Sequence, residues 1–205
     1  MEDYAAERFF VAKGKHLVVE GARNPSVFLQ LTGWASAECL TLRGDRVLMD
    51  FLTAGDFVGL ADDGPHAALT VTALTDLVAL RIERVQLQAL MERDQRVREV
   101  CFAALKTTLA RTRNMRMALS AKSGASKVCQ VLSDLGERVE TLSENAANSI
   151  VRPKIPISQV SLAHAIGLTP VAVNRIVQTL RQAGLLEWGV AGVSILDVRR
   201  LRSYA

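Results

Sequence analysis

Apolar residues recur at helical spacing near the end of the chain and predict two short helices joined by a tight turn. The first helix begins near Ser158, and its apolar stripe consists of Leu162, Ala163 and Ile166. Gly167 then supplies the positive φ at which helices commonly end. Thr169 offers a hydroxyl N-cap to the second helix. Pro170 follows at the first helical position, where its missing N–H costs nothing.

The second helix, from Pro170 to about Leu180, divides into two faces. Its apolar face, which can pack on the first helix, carries Val173, Ile176, Val177 and Leu180. Its outward, largely polar face carries Val171, Asn174, Arg175 and Gln178. Two short helices joined by a turn that contains Gly are typical of a helix-turn-helix, whose second helix enters the DNA major groove. Spacing alone is equally consistent with two packed surface helices in any α-helical domain.

The residues that follow predict a two-stranded wing beside these helices. Gly184 closes the second helix, and the chain turns into a strand that ends near Trp188. Residues 189–192 (GVAG) form a turn, and residues 193–196 a second strand. Asp197 caps a short terminal helix. A helix-turn-helix with a wing is more specific to DNA-binding proteins than either feature alone.

The first part of the chain has the pattern of short β-strands. Residues 1 to about 12 are predicted as a short helix or arm. From about residue 15 to 82, short stretches rich in Val, Leu, Phe and Thr alternate with glycines at Gly21, Gly33, Gly44, Gly55, Gly59 and Gly64. This spacing predicts an all-β sandwich or barrel, and by itself it fits any small β-barrel.

Residues 84–120 contain neither Gly nor Pro and are predicted to be helical. A short helix covers about residues 85–91, and Asp94 caps the long helix that follows. One apolar stripe of the long helix consists of Val97, Cys101, Ala104, Thr108, Met115 and Leu119. A second stripe consists of Phe102, Leu105 and Leu109. Two stripes predict two packing partners, although a single helix buried in its own domain remains an alternative.

The remaining segment links these parts. Residues 122–124 form a hinge, and residues 125–139 a helix that buries Val128, Val131, Leu132 and Leu135. The polar residues 140–152 are predicted to be a loop, and residues 154–157 an extended lead into Ser158. Gly136 weakens the prediction for the last helical turn. The predicted domains are residues 1–92, 93–121 and 122–205.

Charge is distributed unevenly along the chain. The net charge of the 205 residues is +4. From residue 151 onward, seven Arg or Lys residues stand against only Glu187 and Asp197, a net of +5 that leaves −1 for the other 150 residues. A basic excess at the helix-turn-helix end suits a module that binds phosphates.

The composition gives no indication of a secreted protein, a membrane protein or a metalloenzyme. The three cysteines, Cys39, Cys101 and Cys129, form no C-x-x-C pair and predict reduced thiols and a cytoplasmic protein. The acidic start lacks the features of a signal peptide, and no apolar run is long enough to span a membrane. The three histidines do not form a metal cluster, so we expect neither a metal nor a cofactor, and no enzyme.

The segment LAHAIGLTPVAVNRIVQTLRQAGLLE resembles the DNA-reading segment of the Crp/Fnr family of bacterial transcription regulators. Residues 18–21, 31–33 and 54–59 are similar to the turns of that family's cyclic-nucleotide-binding β-roll. The resemblance implies an α+β protein with an N-terminal jelly roll, a long dimerisation helix and a C-terminal winged helix-turn-helix. It also implies that the two packing partners of the long helix are its own β-roll and the same helix of a second subunit.

The sensor-like region departs from the family's cyclic-AMP binders. Those proteins hold the ribose with a Gly-Glu-Leu turn and the phosphate with an Arg-Ser pair, where this chain has Ala67 and Ala68. Burying a phosphate without a cation or a set of donors is costly, so we expect no tight binding of cyclic AMP. The sequence does not identify effector-binding residues. A regulator of the same fold that is controlled by abundance is therefore one alternative, and a cupin-like enzyme is an alternative from another class.

The resemblance implies how a homodimer reads double-stranded DNA. Arg175 matches the family's base-reading Arg and suits guanine, Asn174 can reach adenine or a phosphate, and Val171 replaces a frequent Glu. The predicted DNA-binding residues are Ser158, Thr169, Pro170, Val171, Asn174, Arg175 and Gln178. RNA polymerase is a further expected partner if the protein is an activator, and a membrane is not expected as one.

Overall fold

The computed structural model describes residues 6–44, 46–145 and 154–204, with no description of the side chains of residues 142–145. Contacts divide the chain into two compact units, Met1–Thr112 and Arg113–Ala205. The first unit is rich in strands, and the second is mostly helical. This confirms the expected α+β class.

Eight short strands form the first unit. They are β1 (Glu7–Val11), β2 (His16–Val18), β3 (Ser26–Thr32), β4 (Ala35–Leu40), β5 (Arg46–Leu52), β6 (Phe57–Val58), β7 (Thr70–Ala73) and β8 (Leu77–Glu83). Two four-stranded sheets result, with the orders β1-β8-β3-β6 and β2-β7-β4-β5. Neighbouring strands in both sheets run antiparallel.

A single apolar core fills the space between these sheets. All eight strands contribute to it, with Val11, Leu17, Phe28, Ala35, Ala37, Leu52, Val58, Val71, Ala73, Leu77 and Ala79. A tight turn in this unit requires glycine, because its backbone has a positive φ and leaves no room for a Cβ. Gly33 has a φ of 85°, and a Cβ there would lie 2.4 Å from the carbonyl oxygen of Asp76. The predicted β-roll is therefore a two-layered jelly roll.

The start of the chain corrects one expectation. Residues 7–11 form strand β1, which pairs with β8 from Glu7↔Arg81 to Val11↔Leu77, so the helical alternative is wrong for these residues. Residues 1–5 lie outside the described residues. The strand forms because Val11 enters the core and Phe9 packs on Phe28, with 5.8 Å between the ring centroids. Tertiary contacts of this kind override weak local preference.

Two helices follow the sheets, as predicted. They are α1 (Arg84–Arg93) and α2 (Gln95–Ser120), and the backbone N–H of Arg96 donates to Asp94 Oδ1 at 2.8 Å. In the first unit, Val97 and Cys101 of α2 join a cluster with Val27 and Leu87. The second stripe stays open, since Phe102 is 52% exposed and Leu109 72% exposed.

Besides the end of α2, the described residues of the second unit form four helices and a two-stranded sheet. They are α3 (Gly124–Asn145), α4 (Gln159–Ile166), α5 (Pro170–Gln182), β9 (Leu186–Gly189), β10 (Gly192–Ile195) and α6 (Val198–Ser203). Helix α3 buries Val128, Val131, Leu132 and Leu135, as its periodicity predicts. No single helix of the described residues is long and apolar enough to cross a membrane, and α4 with α5 meets that test only as a pair bent by 111°.

Helix α3 is longer than predicted. It continues to Asn145, so the loop predicted for residues 140–145 is wrong, while residues 146–153 lie outside the described residues. No Gly or Pro breaks the chain there, and polarity alone does not end a helix. Gly136 does not terminate α3 either. It lies against α6, and a Cβ at this position would be 2.8 Å from Val198 Cγ2.

Candidate nucleic-acid interface

The two helices of the predicted motif begin and end at the expected residues. Ser158 Oγ accepts from the N–H of Ser161 at 2.9 Å and caps α4. Gly167, with a φ of 65°, ends it. Thr169 Oγ1 accepts from the N–H of Ala172 at 3.2 Å and caps α5, with Pro170 at its first position. Ser158 and Thr169 are therefore helix caps. The Ser158 hydroxyl also forms a hydrogen bond with the Ser161 hydroxyl, with 2.8 Å between the two oxygens.

Helix α5 presents the predicted polar face to solvent. Its apolar side is buried through Val173, Val177 and Leu180. The predicted DNA-binding residues of α5 are all exposed, namely Pro170, Val171, Asn174, Arg175 and Gln178. Within the described part of the chain, no group accepts a hydrogen bond from the Arg175 guanidinium. That side chain keeps all its donors for a ligand.

A contact that sequence reasoning missed joins the two helices. Asn174 Nδ2 donates to Gln159 Oε1 at 2.9 Å, although the residues are 15 positions apart. Gln159 is the first residue of α4, directly after the N-cap. Two features of the sequence could have indicated this contact: the Gln159 side chain is an amide, and it lies at a helix N-terminus. Hydrophobic periodicity and capping rules take neither feature into account.

The wing is a third element of the same unit. Strands β9 and β10 pair from Leu186↔Ile195 to Gly189↔Gly192, so the turn is shorter than predicted and consists of residues 190–191. Ile155 extends the sheet, because its N–H donates to the Val193 carbonyl at 2.8 Å and its carbonyl accepts from the Val193 N–H at 2.9 Å. The lead into α4 is therefore anchored to the wing. Asp197 Oδ1 accepts from the N–H of Arg200 at 2.9 Å and caps α6, as predicted.

Two family models match the chain. A model described as the Crp-like helix-turn-helix domain matches residues 126–204, and the cyclic nucleotide-binding domain model matches residues 8–94. The chain belongs to the Crp/Fnr family. It is a DNA-binding transcription regulator of that type.

Known Crp/Fnr proteins resemble this chain over most of its length. The transcriptional activator protein FnrL of Cereibacter sphaeroides is 25% identical over 92% of this chain and 76% of its own. The nitrogen fixation regulation protein FixK of Bradyrhizobium diazoefficiens is 25% identical over 99% of this chain and 84% of its own. These relatives are regulators and not enzymes, which confirms that expectation and removes the cupin-like alternative.

The fold agrees with a solved Crp/Fnr structure. FixK2 from Bradyrhizobium japonicum superposes with a TM-score of 0.82 at 21% identity, covering 98% of this chain and 97% of that one. The jelly roll and the winged helix-turn-helix are thus the family's architecture.

The segment of the β-roll that contains Ala67 and Ala68 holds a carboxylate beside a backbone donor. The N–H of Ala68 donates to Asp62 Oδ1 at 3.4 Å, and Ala67 is buried. The nearby Arg84 donates from Nη2 to the Gly59 carbonyl at 2.8 Å, with Asp62 Oδ2 3.9 Å from the same atom. The Ala68 N–H and the Arg84 guanidinium are therefore both already hydrogen-bonded within the protein.

A cavity of about 320 Å³ in the first unit lies between α2 and the turn after β5. Its charged residues are Asp56 and Arg111, which pair at 2.5 Å. A second carboxylate lies near the same guanidinium, with 3.8 Å between Asp50 Oδ2 and Arg111 Nη1. Because two carboxylates surround this guanidinium, an anionic ligand would compete with both. The apolar part of the lining includes Ala54, Phe57, Val100, Ala103 and Ala104.

The buried cysteines behave as small apolar residues. Cys101 and Cys129 are nearly inaccessible, and burial raises the pKa of both thiols, that of Cys129 to about 11. A thiol with such a pKa is almost entirely protonated at neutral pH and reacts slowly. This agrees with a packing role for Cys101 and gives no support to a redox switch.

Proposed function

We propose that the protein reads DNA through the exposed face of α5, with Arg175 and Asn174 as the base-contacting residues. The observation that carries this proposal is the free, solvent-facing guanidinium of Arg175 in the N-terminal half of that helix. Residues in this half of a recognition helix contact base edges. The hydroxyls of Ser158 and Thr169 lie at helix N-termini, where phosphates bind well, and Gln178 extends the same face. Pro170 and Val171 offer only apolar contacts, Val171 for example to a thymine methyl group.

We propose that the working form is a homodimer joined along α2. The support is the second stripe, whose Phe102 and Leu109 stay exposed while Cys101 on the neighbouring face is buried. Apolar side chains at helical spacing that no described residue covers favour a helix partner. The domain organisation predicted from the sequence then assigns residues 1–92 to the sensor-like roll, 93–121 to dimerisation and 122–205 to DNA binding.

We propose that the sensor domain is degenerate and does not bind cyclic AMP tightly. Asp62 already accepts from the Ala68 N–H, so an incoming phosphate would meet a carboxylate instead of a donor. Like charges in a partly buried site are strongly unfavourable. A regulator without an effector, controlled by its abundance in the cytoplasm, is the alternative reading. FnrL is named a transcriptional activator, and RNA polymerase is the expected partner if this chain activates too.

Thermal unfolding with and without cyclic AMP tests the sensor proposal. A ligand at about 100 times its Kd adds about 2.7 kcal/mol to the free energy of unfolding. Millimolar cyclic AMP would therefore raise the Tm visibly if its Kd were about 10 μM. We expect no shift and no change in DNA affinity in the same buffer. A clear rise in Tm, or DNA binding that depends on cyclic AMP, would overturn the proposal.

A further inference from the structure

The Asn174–Gln159 bond links a base-facing side chain to the neighbouring helix. Asn174 is the fifth residue of α5 and solvent-exposed, and Gln159 is the half-buried first residue of α4. The 2.9 Å bond therefore spans the helix-turn-helix from the N-terminus of one helix to the outward face of the other. Both helices are themselves capped, at Ser158 and Thr169, so the two ends of the bond are attached to fixed backbone.

The donors and acceptors of the Asn174 amide are enough for two tasks at once. Its nitrogen carries two hydrogens and its oxygen two lone pairs. One hydrogen is given to Gln159 Oε1, which leaves the second hydrogen and Oδ1 unused. These are the groups with which Asn pairs with adenine, donating to N7 and accepting from N6. A free Asn amide rotates over a broad, two-fold torsion, whereas a bonded one keeps its orientation.

We propose that Gln159 is a positioning residue that fixes the Asn174 amide for reading one adenine in each half-site. This inference rests on the proposed DNA-reading role of α5 and adds the base and the residue that orients its reader. Gln159 holds the amide nitrogen by one hydrogen and thereby selects which way the amide faces the groove. Guanine, which presents only acceptors on this edge of the purine, does not match the pair of groups that Asn174 retains.

Quantitative binding to a panel of DNA sites tests the proposal. The preferred site of the full-length protein is first selected from random DNA, and each of its base pairs is then changed singly. Kd values are measured for the wild type and the variants Asn174→Ala, Gln159→Ala, Gln159→Glu and the double alanine variant. The position read by Asn174 is the one where Asn174→Ala loses discrimination, and we expect an A·T pair there. Unchanged Tm values control for folding.

Gln159→Ala should lower discrimination at that position by about fivefold, the effect of losing one neutral hydrogen bond. Discrimination at the other positions should stay as in the wild type. The double variant should lose no more at that position than Asn174→Ala alone, because Gln159 acts through Asn174. Gln159→Glu keeps an acceptor for Nδ2, so it should retain discrimination while its charge weakens binding to all sites alike.

Other outcomes distinguish failure of DNA reading by α5 from failure of the positioning role of Gln159. A wild type without sequence preference would overturn the proposed function together with this inference. An unchanged preference in Gln159→Ala would overturn only the inference. An equal loss on every site would also overturn only the inference and would make Gln159 a phosphate contact. The same holds if Asn174→Ala acts at a G·C pair, or if Gln159→Glu loses discrimination as fully as Gln159→Ala.

Discussion

Arg175 and Asn174 are neighbours on α5, but the protein holds them differently. Asn174 is bonded to Gln159, whereas no described residue accepts from the Arg175 guanidinium. A free Arg loses side-chain entropy when it binds, and its planar fork compensates through two parallel hydrogen bonds to guanine O6 and N7. We therefore expect both side chains to contribute to specificity, but only Asn174 is oriented before DNA binds.

Arg175→Ala should cost about 1–3 kcal/mol on the preferred site and much less on random DNA, since the lost contact is to a base. Arg181→Ala is the matched control. It removes the same charge from the last turn of the same helix, where Arg181 donates to Gln178 at 3.3 Å. Fluorescence anisotropy on both DNAs checks the prediction. Equal losses on specific and random DNA for Arg175→Ala would make this residue a phosphate contact.

The wing depends on a close backbone approach that only glycine allows. Gly192 has a φ of 118°, and a Cβ there would lie 2.1 Å from the carbonyl oxygen of Ile155. That carbonyl accepts from the Val193 N–H, so the wing and the lead into α4 share one bonded junction. The wing is thus an element of the unit's fold as well as a candidate DNA contact.

Gly192→Ala should destabilise the protein by on the order of 3 kcal/mol, because it combines a backbone clash with a strained φ. Gly189→Ala is the control, since Gly189 is the residue that pairs with Gly192 across the wing. Its Cβ would meet nothing within 4 Å. It should change the free energy of unfolding by less than about 1 kcal/mol. Denaturant unfolding measures both, and equal stability of the two variants would contradict the account of this junction.

Leu109→Glu should convert the protein from dimer to monomer, because it places a charge in the apolar stripe proposed for the interface. Val190→Glu is the control, since Val190 is a fully exposed apolar residue at the wing tip and not on α2. Sedimentation velocity gives the mass of each variant. A wild-type monomer, or a Leu109→Glu variant that stays dimeric, would refute the proposed interface.

The elements that sequence reasoning predicted are those with local signals. Caps and punctuating residues gave the ends of α4 and α5, as at Ser158, Gly167 and Thr169. The errors arose where distant contacts decide. Strand β1 forms by pairing with β8, some 70 residues later, and Gly136 lies in a helix because α6 packs against it. The bond of Asn174 to Gln159 escaped notice for the same reason, because side-chain pairing across a turn has no period.

At the scale of the molecule, positive charge and DNA-reading geometry occur in the same unit. The wing sequence from residue 186 to 195 contains Glu187 and no Lys or Arg. Attraction to phosphates must therefore come from elsewhere in the basic C-terminal region, which includes Arg181, Arg199 and Arg200. The β-roll is slightly acidic by comparison, and its sensor-like segment carries Asp62 and Asp63. Residues 93–121, most of which form α2, also have a net charge of +5, from seven Arg or Lys residues against Asp94 and Glu99.

Selection of binding sites from random DNA by the full-length protein, followed by Kd measurements at two salt concentrations, shows whether a dimer reads DNA through α5. We expect a two-fold symmetric site whose half-sites are centred one helical turn apart, about 34–36 Å. We also expect this site to be preferred over random DNA by at least about a thousandfold. A selected pool without a common motif, or a motif without two-fold symmetry, would contradict a dimer that reads DNA through α5.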